Sequence, residues 1–433
     1  MRLVIDLQGA QSASRYRGIG RYTRSLVRRL VQLADQHEVI LFINAMLREG
    51  ADALIAEFRE LLPRERIVVF EPMVPLSFST SGNRARLMTM EPLREAMLVD
   101  LEPDVVLLTS LFEGYHDDAL TSVGAYSSEI PTAVIHYDLI PLSNPEYLSA
   151  ESQTQFFQRK VEQLQSADLL LAISQASRDD AIDKLDLTGE QVVNIGAAVE
   201  RGFCPEDGHP ARVRAVHFRL GISRAFVLYV PGGFDSRKNF ERLFAAFGNL
   251  PGSVRAAHQL VITGRLDYGR IKILRDSAAE HGLSQEELLL AGYVSDDELL
   301  ALYRSAALFV FPSLNEGFGL PVLEAISCGA PTIASNTSSL PEVVGNAEAL
   351  FDPTDVAAIS QTVARGLTDA DYRERLLASG RHQAGQFSWK RTAAIALKSL
   401  EALATNTRRT EQRAQIEHCL GREHTHNGCK VCG

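Results

Sequence analysis

The chain has 433 residues, of which 44 are Lys or Arg and 54 Asp or Glu, giving a formal charge of −10. Hydrophobic residues at 45% and charged residues at 23% describe a globular protein with an ample core, enough for two or three ordinary domains. The acidic balance argues against a general polyanion binder, and no apolar run approaches the ~18–20 residues that cross a bilayer. Five cysteines are too few for a disulfide framework, so a reducing, cytoplasmic setting is expected. Met1-Arg2-Leu3-Val4-Ile5-Asp6 is charged too early for a secretion signal and reads as a first strand.

In chain order, Leu3-Val4-Ile5, Val39 to Ile43, Ile67 to Phe70 and Asp104 to Leu108 are short runs without polar alternation. Strands buried on both faces look like this, as in parallel sheets covered by helices. Helical stretches separate them, for instance Ser25 to Ala34 and Ala51 to Leu62. The rhythm continues through Ala133-Val134-Ile135 and Leu169 to Ile173, then breaks over 201–222, where Gly202, Pro205, Gly208 and Pro210 sit among charges. That break is expected to connect two units. A second series follows at Phe226 to Val230, Leu260-Val261-Ile262, Leu288-Leu289-Leu290, Leu308 to Phe311 and Thr332-Ile333-Ala334. The expected class is α/β, with two doubly wound Rossmann-like units facing each other across a cleft, because ligands of such sheets sit at the carboxyl ends of the strands.

The densest chemistry lies between Pro312 and Pro331, after the strand 308–311. Pro321 suits a helix start, and Gly329 followed by Pro331 suits its end. Gly317 and Gly319 let backbone N–H groups approach an anion beside a positive helix N-terminus. Glu316 stands at the mouth of the strand and Glu324 projects from the helix; either carboxylate can accept hydrogen bonds from sugar hydroxyls. A second constellation, Tyr229 to Asn239, also leaves a strand through glycines, and it sets Arg237 and Lys238 before a helix that Asn239 is expected to cap.

The first string resembles the Glu-x7-Glu signature of retaining GT-B glycosyltransferases of family 4. The resemblance implies that Glu316 lies against the donor sugar, that Glu324 holds the ribose, and that Gly317, Phe318 and Gly319 contact the diphosphate. The second resembles the family's Arg-Lys-Asn element, which implies that Lys238 and Arg237 stabilise the departing nucleoside diphosphate. Arg17-Gly18-Ile19-Gly20-Arg21-Tyr22 resembles the family's N-terminal glycine loop, with Gly18 and Gly20 facing the diphosphate; Thr23, where a dinucleotide fingerprint wants glycine, speaks against a dehydrogenase. His136-Tyr137-Asp138 stands where relatives read His-Asp, with the His near the donor sugar. Because adjacent strand residues point to opposite faces, only one of His136 and Tyr137 can face the cleft. Tyr137, Asp138, Glu113 and Ser174 leave strands toward the same cleft and are expected to touch sugar or acceptor. Base recognition is expected mostly from backbone near Thr263-Gly264 and Tyr293-Val294.

The resemblance reaches to about residue 405 and divides the chain into 1–203 (acceptor side), a connection 204–222, 223–387 (nucleotide-sugar side), a helix 388–405 crossing back, and a polar tail 406–433. It implies hexosyl transfer, preferably of mannose from GDP-mannose, onto a glycan or lipid-linked glycan in bacterial surface-polysaccharide synthesis. A UDP- or dTDP-sugar donor, a sugar-nucleotide epimerase and a non-catalytic scaffold are the alternatives. Arg15, Arg17, Arg21, Arg24, Arg28 and Arg29, with no acidic residue between them, form either an anionic-membrane or phosphate-acceptor surface or a solvated helix face. No resident metal is expected. Asp369-Ala370-Asp371 reads as a helix start, and Cys419, Cys429 and Cys432 in the tail are either a zinc site or part of a disordered segment.

Overall fold

The computed structural model describes residues 1–126, 130–205 and 210–406; the cysteine group of the tail lies outside them. In the N-terminal part, β1 (Arg2–Asp6), β2 (Glu38–Asn44), β3 (Ile67–Phe70), β4 (Val105–Leu108), β5 (Thr132–His136), β6 (Leu169–Ala172) and β7 (Val192–Asn194) form one sheet in the order β3-β2-β1-β4-β5-β6-β7. A second sheet holds β8 (Ala225–Tyr229), β9 (His258–Thr263), β10 (Leu288–Gly292), β11 (Leu308–Phe311), β12 (Thr332–Ser335) and β13 (Leu350–Phe351), in the order β10-β9-β8-β11-β12-β13. The pairings are parallel; Val4 of β1, for example, lies opposite Ile40 of β2 and Val106 of β4. β4, β6, β11 and β12 are buried along their whole length, which is why their sequences carry no alternation.

Each face of the first sheet has its own cover. Leu3, Ile5, Leu41 and Leu107 pack in one cluster with Tyr22, Leu26 and Leu30 of the helix Gly18–Leu33. Val4, Phe42, Val106 and Val134 pack on the opposite face with Leu87 and Leu98 of the helix Arg84–Val99 and with Phe156, Phe157 and Leu164 of the helix Glu151–Gln165. Each such side chain contributes about 1.5–3 kcal/mol on burial.

The stretch expected to be a plain connection contains a helix, Pro210–Leu220, which buries Val216 and Leu220. Arg219 and Arg212 pair with Glu298 and Asp297 of the helix Asp296–Ser305, so this segment is built onto the second sheet's layer. Two of its charges, Arg212 and Arg219, look like linker on paper and are ion-pair partners of a neighbouring helix.

A final helix over 389–406 leaves the second sheet and lies on the N-terminal part. Trp389 sets its ring edge-on to Tyr22 at 5.0 Å, and Glu401 accepts from His37 at 2.7 Å. Ala393, Ala396 and Leu400 are fully buried there, in a cluster that includes residues of both sheets. No helix of the described residues is long and apolar enough to cross a membrane.

Candidate active site

In each sheet the strand order reverses at one point, between β1 and β4 in the first and between β8 and β11 in the second. Loops diverge there and leave a crevice at the strand ends. The second crevice receives the loops 230–239 and 312–319, the two segments in which the sequence concentrates charge and glycine.

Their charges meet. Glu316 Oε2 accepts from Arg237 Nη1 at 2.8 Å; Glu316 Oε1 accepts from Lys238 Nζ at 2.5 Å and from Ser313 Oγ at 2.6 Å. Burial alone would push the Glu316 carboxyl up, but Lys238, Arg237 and their hydrogen bonds together hold it below the usual carboxylate range. Burial weighs against the Arg237 charge too, and Glu316 and Asp235 overcome it, leaving its pKa raised. The loops are also stitched through backbone: Leu314 N donates to Arg237 O at 2.8 Å, and Tyr229 OH donates to Lys238 O at 2.7 Å.

Asn239 precedes its helix, Phe240–Gly248, but does not cap it with its side chain. Its backbone is left-handed, with φ 61°, and its Nδ2 donates to Pro312 O at 2.9 Å and Pro353 O at 2.8 Å. Its Oδ1, the atom that would cap, accepts from Arg242 Nη1 at 3.0 Å instead of from a helix N–H, so Asn239 braces the crevice.

The helix Leu320–Ser327 starts at Gly319, whose φ of 96° favours glycine, and carries Pro321 in its first turn. Gly329, at φ 80°, lies just past its end. Glu324 is 7% exposed; Tyr303 OH donates to its Oε2 at 2.9 Å and Arg21 Nη1 approaches its Oε1 at 3.5 Å. Burial raises the Glu324 pKa, and Arg21 and Tyr303 only partly offset it. Phe318 turns its ring into the core against Phe387, 5.7 Å away, leaving only its backbone for the cleft.

Contacts of several kinds join the two sheets' loops across the cleft. Arg21 pairs with Asp296 as well as Glu324. Glu342 Oε2 and Oε1 accept from the backbone N–H groups of Gln175 and Ala176, at 3.0 and 3.3 Å. Gly317 lies so close to the first sheet that a Cβ on it would stand 2.7 Å from Tyr137 O, and its carbonyl accepts from Ser177 Oγ at 3.0 Å.

The N-terminal residues fall into place unevenly. Gly18 faces Leu320 at the start of the opposite helix, while a Cβ on Gly20 would run into the Arg15 backbone; Gly20 is required by that packing. Of His136 and Tyr137, neither lines the cavity beside Glu316. Tyr137 turns toward the helix Gly18–Leu33, with its hydroxyl 3.2 Å from Thr23 Oγ1. His136 is 2% exposed, its Nε2 has no partner among the described residues, and burial drives its ring pKa down to about 4. Asp138 is the residue of this trio that reaches the cavity, a space of about 210 Å³ also lined by Ser177, Asp180, Lys184, Asn315 and Glu316. Ser174 is spent as the cap of the helix Gln175–Leu185, accepting from Ser177 N at 2.9 Å. Glu113 accepts from Ser12, Ser14 and Ser110 at 2.6, 3.0 and 2.8 Å, beside the first sheet's crossover.

The six arginines do not form one face. Arg21 is drawn into the cleft, Arg24 and Arg28 share Glu57, Arg15 pairs with Glu49, and Arg29 donates to Gln32. Asp369 caps the helix Ala370–Ala384 by accepting from Tyr372 N at 2.9 Å. Among the described residues no group of three His, Cys, Asp or Glu is placed to hold a metal ion.

Ser313, Tyr303, Glu342 and Asp296 were not legible as site residues. Tyr303, Glu342 and Asp296 act through partners distant in sequence, and Ser313, three residues before its partner Glu316, lies inside the motif with nothing to single it out.

Residues 214–383 match the family described as Glycosyl transferases group 1. O-antigen chain mannosyltransferase B of Escherichia coli is 31% identical over 376 residues, which are 86% of this chain and 93% of that protein. The chain belongs to the family 4 glycosyltransferases. It is also similar to the serotype-specific mannosyltransferase WbdA of Escherichia coli, with 34% identity over 413 residues, 95% of this chain. This family 4 chain spans about half the length of that relative, 49%. Its fold is that of HepE from Anabaena, solved with UDP and glucose, at TM-score 0.66 and 16% identity, covering 93% of this chain and 100% of that one. Two parallel Rossmann-like sheets with loops converging on a shared cleft are thus the GT-B arrangement.

Proposed function

We propose that the chain transfers a hexosyl group from a nucleotide sugar to a glycan or lipid-linked glycan, in the synthesis of a bacterial surface polysaccharide. Mannose from GDP-mannose is the preferred donor, and the cytoplasmic face of the inner membrane the preferred place. The observation that carries this is the Arg237–Lys238–Glu316 cluster at the second sheet's crossover, which sets two cations beside a carboxylate in a cleft closed by the other sheet. The two Escherichia coli relatives, both described as mannosyltransferases, support the sugar.

Arg237 and Lys238 carry more N–H donors than Glu316 takes up, so phosphate oxygens can be bound without dismantling the cluster. Glu324 is set to accept from ribose hydroxyls. Glu316 holds the cations in position and lies against the sugar. The acceptor hydroxyl, approaching from the side of Asp138 and the cavity, attacks on the face that the diphosphate leaves. The new C–O bond forms as the anomeric C–O bond to phosphate breaks, and the hydroxyl proton passes to the departing phosphate oxygen. Lys238 and Arg237 stabilise the charge that develops there. The contacts across the cleft keep out water that would otherwise hydrolyse the donor.

The test is incubation with GDP-mannose, UDP-glucose and a dTDP-sugar, with and without a mannosylated lipid acceptor, reading product and anomeric configuration by NMR. Transfer with retained configuration is the expected result. Isomerised donor without acceptor would make the protein an epimerase, and no turnover of any donor would make it a scaffold.

A further inference from the structure

The cleft has an order. Glu316 at its centre is followed by Glu324, which approaches Arg21; Arg21 pairs with Asp296, and Asp296 lies three residues after Tyr293 at the end of β10. If Glu316 marks the sugar and Glu324 the ribose, the base falls at the ends of β9 and β10. There Gly264 N donates to Gly292 O at 2.9 Å, tying the two strand ends together. Gly264 has φ 146° and its ideal Cβ would stand 2.6 Å from the Phe234 ring, which stacks on Phe240. The backbone that launches Arg265 is thereby fixed.

The Arg265 guanidinium lies 5.0 Å from the ring centroid of Tyr293 and 5.3 Å from that of Tyr16, which comes from the opposite half of the protein. Arg15 lies 4.4 Å from the same Tyr16 ring. Both tyrosines are more than half exposed, at 61% and 63%. Among the described residues Arg265 has no ion pair and no hydrogen bond, so a planar fork of N–H donors is oriented by two ring faces with nothing drawing on its donors.

We infer that Arg265 selects the donor base and that the base it selects is guanine. Guanine presents two adjacent acceptors, O6 and N7, which a guanidinium meets with two parallel hydrogen bonds; neither uracil nor thymine has such a pair. Tyr293 and Tyr16 hold the fork in place for the base, and Tyr16 brings the glycine-loop half into the recognition. Specificity is then written in a side chain, beyond the backbone contacts expected near Thr263-Gly264 and Tyr293-Val294. The inference rests on the reading of the cleft as a nucleotide-sugar site.

Calorimetric titration of GDP, UDP and dTDP into the wild-type protein, Arg265→Ala, Arg265→Lys and Glu324→Ala tests it. Wild type should prefer GDP. Arg265→Ala should weaken GDP by roughly five- to 150-fold and leave UDP and dTDP as they were. Arg265→Lys should recover only part, since a flexible ammonium can reach O6 and N7 but lacks the rigid planar fork that the rings hold in place. The inference is overturned if GDP and UDP weaken equally, if the preference for GDP survives the alanine, or if wild type does not prefer GDP. Glu324→Ala separates the two readings. Loss of all three nucleotides there keeps the nucleotide-sugar site even when the base assignment fails, whereas wild-type binding of all three would overturn the site itself. Arg265 is exposed, so its substitution leaves the core intact.

Discussion

Lys238 Nζ donates to Glu316 Oε1 at 2.5 Å and joins the loop after β8 to the loop after β11. Lys238 is 3% exposed, and its ammonium also stands 5.8 Å from the Phe311 ring. A cation held this way is already in position when a leaving group develops charge, so little reorganisation remains for the reaction itself.

Lys238→Ala should therefore lower the rate of transfer by about 10²–10³, the usual cost of removing one such donor, without unfolding the protein. Glu316 keeps Arg237 and Ser313 in the variant, so no buried charge is stranded. Steady-state kinetics beside a thermal melt check this. A folded variant with wild-type turnover would remove Lys238 from the mechanism.

Glu316 is largely shielded and Glu113 buried, and their pKa values move in opposite directions. Glu316 is held low by its two cations against the push of burial, so its charged form stabilises the fold above the unfolded pKa, and that stability is lost as pH falls toward the folded value. For Glu113 burial is the larger effect, and the hydroxyls of Ser12, Ser110 and Ser14 do not cancel it. Its protonated form is favoured in the fold, so its contribution is complete below the unfolded pKa and declines as pH rises through the folded one. Melts from about pH 4 to about pH 8 should show Glu316→Gln costing more at neutral pH than at acid pH, and Glu113→Gln costing more at acid pH than at neutral. Parallel pH profiles for the two variants would contradict the assignment.

Gly317 is a point of close approach between the halves. A methyl group there meets the Tyr137 carbonyl at 2.7 Å and Asp138 Cβ at 3.3 Å, and a backbone oxygen cannot rotate away. Gly317→Ala should hold the cleft ajar. The expected result is a larger radius of gyration by small-angle scattering and a fall in kcat/KM, with a melting temperature close to wild type because neither core is touched. An unchanged radius and rate would mean that closure at this point is not needed.

What the sequence disclosed follows from how local each signal is. β1, β2, β4 to β6, β8, β9, β11 and β12 were legible because burial on both faces strips them of polar residues, and the partly exposed edge strands β3 and β10 because they are short apolar runs all the same. β7, of three residues, and β13, of two, are too short to carry a pattern. Arg237, Lys238 and Glu316 could be found because each sits in a glycine-bearing loop directly after a buried strand. Ser174 also leaves a buried strand toward the cleft, but a serine leaving a strand into a helix also fits a cap, and capping is what the structure shows. The arginines before and along the helix Gly18–Leu33 read as one basic surface because their acidic partners, Glu49, Glu57 and Asp296, come from elsewhere in the chain.

Glu342 supplies the remaining restraint on the cleft. Its carboxylate, carried by the second sheet's layer, accepts from the first two N–H groups of the helix Gln175–Leu185 in the other half. An anion at a helix N-terminus is worth about 0.3–1 kcal/mol, and up to ~2 kcal/mol when partly buried. Glu342→Ala removes that attraction together with both hydrogen bonds and shifts the protein toward an open form. Binding that requires the closed form weakens in proportion to the closed fraction that remains. A loss of about 1 kcal/mol lowers the closed-to-open ratio roughly fivefold, so nucleotide binding weakens by at most roughly fivefold, with the rate at saturating donor less affected. Calorimetry with GDP and scattering with and without it would show the change, the variant closing only when ligand is added. If the variant matches wild type in both, Glu342 only caps a helix and does not govern the approach of the two halves.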